Sequence, residues 1–462
     1  MTTGIVTLRQ TAENVVRRLQ EAGFSTFWVG GCVRDLLLGR DPADYDIATS
    51  AKPEQVESLF PQTVPVGRQF GVVVVLENHH PIQVATFRAE SDYEDGRHPK
   101  NVAFANAKAD AERRDFTVNG MFFDPVRQEL HDWVGGTQDL EAGVVRTIGS
   151  PAERFAEDHL RMLRAIRFAT QLDFALAPET MAAVKALAPC IRGISAERIR
   201  EELIKLFKPP YARRGLELFR ESGLMPEILP ELVATIECEQ TPDYHPEGSV
   251  YNHIGLMLER MKADASPSLP WAVLLHDIAK PVTASRDPET DCIHFYGHER
   301  VGAEMAEQIL ERFRFPRKEI EEIALVVRCH MQFKDAPQMR KATLRRLLLR
   351  PTFPLELELH RLDCAGSHGR LDIYDFLVAQ NRELEDKPQI RPPLLRGDDL
   401  LALGMKPGPA LGHWLERVRD KQLQEELQTR EEAIAWVKQQ IAEGCNQPGG
   451  QLEREDPQRP AQ

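Results

Sequence analysis

Near the N-terminus the chain reads FWVGGCVRDLLLGRDPADYDIAT, which brings a Gly30-Gly31 turn, Arg34 and the pair Asp44/Asp46 into one short stretch. On a strand, residues i and i+2 point to the same side. The two carboxylates can therefore meet two divalent ions about 3.5–4 Å apart. Hard oxygen donors of this kind suit Mg²⁺. One ion would lower the pKa of an attacking 3′-hydroxyl, and the other would hold a triphosphate and its leaving pyrophosphate. The glycines let backbone N–H groups approach phosphate oxygens closely. Arg34 adds positive charge to the same pocket, and Arg68 in GRQFG is placed to do likewise. A D-x-D alone is most often a polar turn closing a surface strand. The Gly-Gly turn and Arg-Asp pair beside it shift the reading to nucleotidyl transfer.

Two further clusters carry chemistry. In AEDHLRMLRAIRFA, Glu157, Asp158 and Arg161 are helical neighbours, and Arg164 and Arg167 continue the basic side. The bland reading is a salt-bridged solvent face. The sharper one is base selection. Cytosine and adenine both offer an exocyclic amine beside an acceptor ring nitrogen, which a carboxylate and a guanidinium can read. Uracil and guanine would leave a buried polar group unpaired, at about 1–3 kcal/mol each. Further on come His253, the vicinal His276-Asp277, and Asp363, with His298 and His330 between. A lone histidine on an apolar helix is usually core. This set has the donors to hold a divalent cation and activate water.

These strings resemble a known family. GGCVRD with DYD is similar to the head domain of the bacterial tRNA nucleotidyltransferase and poly(A) polymerase family, class II of the polymerase-beta-like superfamily. RRDFTVN at 113–119 resembles its ribose- and nucleotide-contacting motif, with Arg114, Asp115 and Asn119 as the contacts. E-D-x-x-R resembles the motif that reads the incoming base, and ISAERIREEL at 194–203 the motif after it, with Ser195 as N-cap and Arg198 bracing the base-reading helix. The H…HD…D pattern resembles HD phosphohydrolases. The resemblance covers residues 24–210 closely, and GGTQDLEAGVVRTIG at 135–149 matches the link from head to neck. One departure stands out: Gln83 occupies a position where many relatives carry Glu, so a third metal carboxylate is not assigned.

The resemblance implies an enzyme that adds C, C and A to the 3′ end of tRNA from CTP and ATP, with Mg²⁺ at Asp44 and Asp46. Nucleotide contacts would be Gly30, Gly31, Arg34, Arg114, Asp115, Asn119, Asp158, Arg161, Arg164 and Arg167. A second divalent metal (Mg²⁺, Mn²⁺ or Ni²⁺) would sit at His253, His276, Asp277 and Asp363. Within the same chemistry, poly(A) addition and A-only or CC-only addition remain open. From another class, an HD phosphohydrolase with an inactive head is the competing reading, against which the intact D-x-D, RRDFTVN and E-D-x-x-R argue.

Such a site needs an α+β head. Helix is expected over 9–22, strand over 26–30, helix over 31–38 ended by Gly39, strand over 45–48, and strands over 72–76 and 82–87 joined at Asn78-His79-His80. Residues 87–99 are polar and Gly/Pro-marked and resemble the mobile loop of the family. From Pro151 helical periodicity dominates, with helices at 155–170, 178–188, 195–207 and 211–222. Breaks rich in Pro and Gly divide the chain into a head at 1–150, a helical neck at 151–247, an HD domain at 248–388, a helical tail at 389–443 and a disordered end at 444–462. In the tail, Gly404, Pro407-Gly408-Pro409 and Gly412 form a tight inter-helix turn that could present N–H groups to a phosphate.

Composition narrows the class. The chain has 462 residues, 42% hydrophobic and 28% charged, enough for several cores. No run of apolar residues is long enough to span a membrane, and the N-terminus has no leader-like apolar stretch. Seven scattered cysteines without a C-x-x-C pair fit a reducing cytoplasm. The net charge of −13 disfavours indiscriminate RNA binding. Local clusters such as Arg161/Arg164/Arg167 and Lys341/Arg345/Arg346/Arg350 can still grip the phosphates of a shaped RNA.

Overall fold

A computed structural model describes residues 7–64, 71–93, 99–242, 245–290, 292–387 and 390–443. Arg68, the centre of the 87–99 segment and the 444–462 end lie outside the described residues.

The head is built on helices α1 (Leu8–Glu21), α2 (Gly31–Leu37), α3 (Pro53–Leu59), α4 (Ala107–Glu112) and α5 (Gly136–Ala142) around a seven-stranded mixed sheet. Its strands are β1 (Thr26–Val29), β2 (Asp46–Thr49), β3 (Thr63–Val64), β4 (Val72–Glu77), β5 (His80–Thr86), β8 (Phe122–Asp124) and β9 (Glu129–His131), in the order β3-β4-β5-β2-β1-β8-β9. Among the described strands of this sheet, β2 and β5 are the one parallel pair. Strands β6 (Arg88–Tyr93) and β7 (Pro99–Phe104) form a separate antiparallel hairpin. The segment expected to be a loop over 87–99 is thus largely strand. The ladder from Arg88↔Phe104 to Tyr93↔Pro99 gives its backbone groups partners.

Period-2 alternation sorts the sheet's two faces. Trp28, Ile47, Val73, Val75, Ile82 and Val84 turn to one side and meet Ala12, Val15, Val16 and Leu19 of α1. Val29, Ala48 and Phe87 turn to the other, under Ala111 of α4 and beside Phe122. The β4–β5 turn takes left-handed backbone at Asn78 (φ 50°) and His79 (φ 65°), as a tight hairpin requires.

The neck comprises α6 (Pro151–Glu157), α7 (Leu160–Leu172), α8 (Pro178–Leu187), α9 (Ala196–Leu206), α10 (Ala212–Glu221) and α11 (Met225–Ile228). A short parallel pair joins it to the head, β10 (Val144–Val145) with β11 (Ala175–Leu176). The single helix expected over 155–170 is two helices. Asp158 breaks it with extended backbone (φ −153°, ψ 105°), and its Oδ1 accepts from Leu160 N at 3.1 Å at the start of α7. An aspartate that bonds its neighbouring backbone competes with helix continuation.

Helices α12 (Val250–Glu259), α13 (Leu269–Leu275), α14 (Lys280–Thr283), α15 (His298–Arg312), α16 (Arg317–Cys329), α17 (Lys341–Leu348), α18 (Phe353–Gly366) and α19 (Asp372–Glu385) follow, with a two-stranded ribbon β12 (Ser285–Arg286) and β13 (Ile293–His294). The core of α1 and the main sheet continues through the neck into α12, α13, α15, α16 and α18 as one apolar cluster. Helices α20 (Gly397–Ala402), α21 (Pro409–Leu423) and α22 (Arg430–Ala442) close on their own core of Leu400, Trp414, Val418, Ala433 and Val437. Among the described residues, no helix is long and apolar enough to cross a membrane.

Candidate active site and metal centre

Strand β1 runs into Gly30, whose backbone (φ 77°, ψ −134°) favours glycine. A Cβ there would lie 3.3 Å from the Arg114 guanidinium, so the turn leaves room for that arginine. Helix α2 begins at Gly31, and its Arg34 donates to Asn119 Oδ1 at 2.7 Å and to Asp35 at 2.8 and 2.9 Å. The turn and the RRDFTVN segment, far apart in sequence, are thereby joined.

Asp44 and Asp46 flank the buried Tyr45, which packs on Trp28 at 4.7 Å between ring centres. Both aspartates are exposed while Tyr45 and Ile47 are buried, so the carboxylates share one side. Strand β2 starts at Asp46 itself, one residue later than the spacing predicts. Neither carboxylate has an ion-pair partner among the described residues. Asp46 is crowded by protein, and this loss of hydration raises its pKa; Asp44 raises it further, against the pull of Arg114. Two unpaired, like-charged oxygen donors beside a phosphate-sized turn fit Mg²⁺. Gln83 pairs with Asp46 in the β2–β5 register and is also exposed, so an uncharged amide stands beside the carboxylates.

Arg114 follows α4 on the face of the sheet that carries Asp46. It is held by Asp110, a residue the sequence reading did not single out. Asp110 is 1% exposed and accepts from Arg113 at 2.6 and 2.9 Å, from Arg114 at 3.1 and 3.3 Å, and from Arg88 N at 3.2 Å. Burial alone would raise its pKa, but the Arg114 and Arg113 guanidiniums outweigh burial and lower it.

Asp115 is bound by Arg164 at 2.6 and 2.9 Å, which ties head to neck. Arg167 is buried against Glu202 at 2.7 Å, and burial pulls its pKa down to about 10. The guanidiniums of Arg34, Arg164 and Arg167 surround the Phe168 ring at 5.6, 5.4 and 3.9 Å. Phe168 therefore sits amid the basic side of α7, a role its apolar type concealed.

Asp158 and Arg161 do not pair with each other through their side chains. Arg198 of α9 grips the Asp158 carboxylate at 2.7 and 3.2 Å, and Arg161 is bound by Glu157 and by the Arg154 carbonyl at 3.1 Å. Arg154 also reaches back to the head at Ile148 O, 2.7 Å, and Glu112 O, 2.5 Å. Both base-reading candidates are thus set in place from outside their own helix. Ser195 occupies the N-cap of α9, but its side chain makes no cap hydrogen bond.

The second centre lies between α12, α13, α15, α16 and α18. It gathers His253, His276, Asp277 and Asp363, and adds His298 and His330. His276 Nδ1 faces Val273 O at 2.9 Å, His298 Nδ1 faces Phe295 O at 2.7 Å, and His330 Nδ1 faces Val327 O at 2.6 Å. An N–H on each Nδ1 leaves a lone pair on each Nε2. Those lone pairs converge: His298 and His330 face each other at 3.1 Å, and both face Asp277 Oδ1, at 3.3 and 3.7 Å. His253 Nε2 and Asp363 Oδ1 stand 3.1 Å apart. The Nε2 atoms of His253 and His276 and Asp277 Oδ1 are buried without hydrogen-bond partners. Burial pulls His253 down, but Asp363 and Glu247 outweigh it and push it up to about 9; burial pulls His330 down to about 4. Converging lone pairs and carboxylates in a dry core call for a cation, and the imidazole-carboxylate donor set suits a divalent metal.

The turn expected at Gly404–Gly412 is shorter than that: it joins α20 to α21 with left-handed backbone at Gly404 (φ 89°), while Pro409 opens α21 and Gly412 lies inside it.

Fold and sites together define a class: a polymerase-beta-like nucleotidyltransferase head followed by a helical body with an HD-type centre. Family profiles agree. "Poly A polymerase head domain" matches residues 26–146, "Probable RNA and SrmB- binding site of polymerase A" residues 173–235, and "HD domain" residues 249–363. The CCA-adding enzyme of Bacillus pumilus is 47% identical over 215 residues, 46% of this chain and 54% of that one, so the chain spans about half the length of such relatives. The CCA-adding enzyme of Bacillus cytotoxicus is 32% identical over 440 residues, 94% of this chain and 97% of that one. The crystal structure of the Bacillus stearothermophilus CCA-adding enzyme in complex with CTP superposes with a TM-score of 0.72 at 26% identity, covering 95% of this chain and 99% of that one. The chain belongs to the bacterial CCA-adding enzymes, class II nucleotidyltransferases, with an HD domain.

Proposed function

We propose that this protein is a template-independent nucleotidyltransferase that adds C, C and A to the 3′ end of tRNA from CTP and ATP, releasing pyrophosphate. The observation that carries this is the unpaired Asp44/Asp46 couple beside the Gly30 turn, under Arg114. When bound there, Mg²⁺ supplies activation of the 3′-hydroxyl and neutralisation of the triphosphate. The chain's own residues do the rest. Gly30 and Gly31 admit phosphate oxygens to the backbone, and Arg34 and Arg114 neutralise charge on them. Asp115 and Asn119 face the ribose, with Arg164 and Arg167 beside them. Asp158 accepts from the exocyclic amine of cytosine or adenine, and Arg161 donates to the adjacent ring nitrogen. The similarity to CCA-adding enzymes of Bacillus and Geobacillus species favours CCA addition over poly(A) addition. The division into head, neck, HD domain and tail at about 150, 248 and 388, and a cytoplasmic location, belong to this reading.

The converging Nε2 atoms of the second centre favour a divalent cation held by His253, His276, Asp277 and Asp363 with His298 and His330, and phosphoester hydrolysis as its chemistry. Incubation with tRNA lacking its terminus, Mg²⁺ and each labelled nucleotide in turn tests the first activity. Incorporation of CTP then ATP is expected. Absence of incorporation, with phosphoester hydrolysis retained, would leave the HD phosphohydrolase reading in its place.

A further inference from the structure

Three of the four imidazoles on α12–α16 and their ends take their orientation from the carbonyl three residues earlier: His276 from Val273, His298 from Phe295 and His330 from Val327. His253 departs from this pattern. Its Nδ1 meets Glu247 Oε1 at 2.7 Å while its Nε2 faces Asp363. We propose that Glu247 is a positioning residue of the HD centre, holding His253 with its proton on Nδ1 and its Nε2 lone pair turned to the cation. This rests on the reading that the centre holds a divalent metal.

Glu247 comes from outside the H…HD…D pattern. It lies in TPDYHPEGS, between the profile match that ends at 235 and the HD match that begins at 249. The loop is closed at its base. Val250 N donates to Cys238 O at 2.9 Å, Gln240 N donates to Gly248 O at 3.2 Å, and Glu239 bridges to Ser249. Its first arm reaches the centre as well. Gln240 Oε1 accepts from Lys280 Nζ at 2.6 Å, and Lys280 pairs with Asp277 at 2.8 Å. One loop therefore braces two candidate ligands, His253 on α12 and Asp277 in the turn between α13 and α14.

The Glu247 side chain is only 5% exposed, a costly place for a carboxylate. Its Oε1 serves both His253 and His245, the latter at 2.9 Å, and its Oε2 is buried without a hydrogen-bond partner. The His245 ring stands edge-on to His253 at 5.1 Å and closes that flank. A carboxylate behind a metal-bound imidazole fixes its tautomer and raises its basicity as a ligand, and losing such a partner weakens metal binding about 10- to 100-fold.

The test uses the full chain carrying Asp44→Ala and Asp46→Ala, so that the head does not compete for metal. The metal-stripped protein is titrated with Mn²⁺ by calorimetry, and the His253 tautomer is read by NMR of the nitrogen-labelled protein loaded with diamagnetic Mg²⁺, where the cation displaces the Nε2 proton. Glu247→Ala should weaken Mn²⁺ binding about 10- to 100-fold, and His253 should lose its single Nδ1-protonated form. Glu247→Gln keeps an acceptor for Nδ1–H and should fall between. If Glu247→Ala does not fold, Glu247→Gln and the tautomer decide. Unchanged Mn²⁺ affinity in the folded variants, with His253 still in one tautomer, overturns the proposal. Absence of Mn²⁺ binding in the parent overturns the metal centre itself and the proposal with it.

Discussion

At the residue scale, the head site includes one carboxylate, Asp46, whose charged form protein folding does not favour. Asp46 has a raised pKa, from lost hydration and from Asp44. The folded state therefore binds its proton more tightly than the unfolded chain does. The charged pair costs stability at neutral pH, and that cost is relieved as pH falls through the raised value. Asp46→Asn should raise the melting temperature in metal-free buffer while Asp44→Ala or Asp46→Ala lowers nucleotide incorporation by roughly 10³-fold, about 4 kcal/mol in the transition state. Calorimetric melts and single-turnover incorporation check both. Base choice is the second residue-scale expectation. Asp158→Ala and Arg161→Ala should each flatten discrimination of C and A against U and G by about 1–3 kcal/mol, or roughly 5- to 150-fold in relative kcat/KM. Arg198→Ala, which frees the Asp158 carboxylate, should flatten it in the same direction by less. Unchanged CTP:UTP and ATP:GTP ratios in Asp158→Ala would place base choice elsewhere. The patterns of Asp44/Asp46 and of the HD histidines single those residues out in the sequence, and the likeness of RRDFTVN to the family motif singles out Arg114. Asp110, Glu202 and Glu247 were not legible there, because a carboxylate that aims another side chain has no spacing of its own. For Glu247 the His-Pro-Glu run just before α12 was the one available signal.

At the element scale, what sequence periodicity conveys best is which face is buried. In β5 the buried Ile82 and Val84 alternate with Gln83 and Ala85, because one face must meet α1, whereas the unbroken run Val72–Leu76 of β4 hides which of its valines are buried. Periodicity conveys breaks poorly. The helical pattern runs straight through Asp158, since Phe155, Leu160 and Leu163 are all buried, yet the backbone opens there. Only the long-range clamp from Arg198 and the bond to Leu160 N account for the break, and neither is local in sequence. The β6–β7 pair was missed for a related reason: β6, RAESDY, is polar and β7, PKNVAF, carries its apolar residues only at one end, so neither strand shows an alternation to read. The parallel register of β2 and β5 does yield a prediction that sequence alone could not place. Gln83 stands next to Asp46 on the same side, so Gln83→Glu would set a third carboxylate at the metal site. The added charge should lower the Mg²⁺ concentration for half-maximal incorporation by a few-fold, on the order of 1 kcal/mol across a partly solvated site. A Mg²⁺ titration unchanged from wild type would mean that the side chain at 83 turns away from the carboxylates.

At the scale of the whole molecule, the chain is held together across its expected subdivisions. One apolar cluster runs from α1 to α18, and a second joins α17 and α19 to Leu423 at the end of α21. The composition break near 388 was legible in its prolines and glycines, but the packing that crosses it was not, because Leu423 looks like any other residue of the tail's own helix. Glu425, just beyond, ties the crossing with charge. It binds Lys341, Arg345 at 2.6 Å and Lys387 at 3.0 Å, while Arg345 also donates to Leu423 O at 2.8 Å. Hydrogen bonds from these three cations lower the Glu425 pKa to about 2. A carboxylate depressed in the folded state contributes stability that is fully present above its unfolded value and is lost as pH falls through the folded one. The window here runs from the ordinary glutamate range near 4.5 down to about 2. The carboxylate is partly exposed, so the gain is screened by solvent and salt. Glu425→Gln should lower the melting temperature at pH 7 by on the order of a degree or two. That difference should shrink as pH falls below about 4.5 and be nearly gone near 2. Glutamine keeps the shape and tolerates the local backbone (φ 65°) no worse than glutamate, so strain does not confound the comparison. Differential scanning calorimetry of the two proteins from pH 7 to pH 3 makes the measurement. A melting difference that stays constant with pH would mean that the tail is held by Leu423 and its apolar neighbours alone.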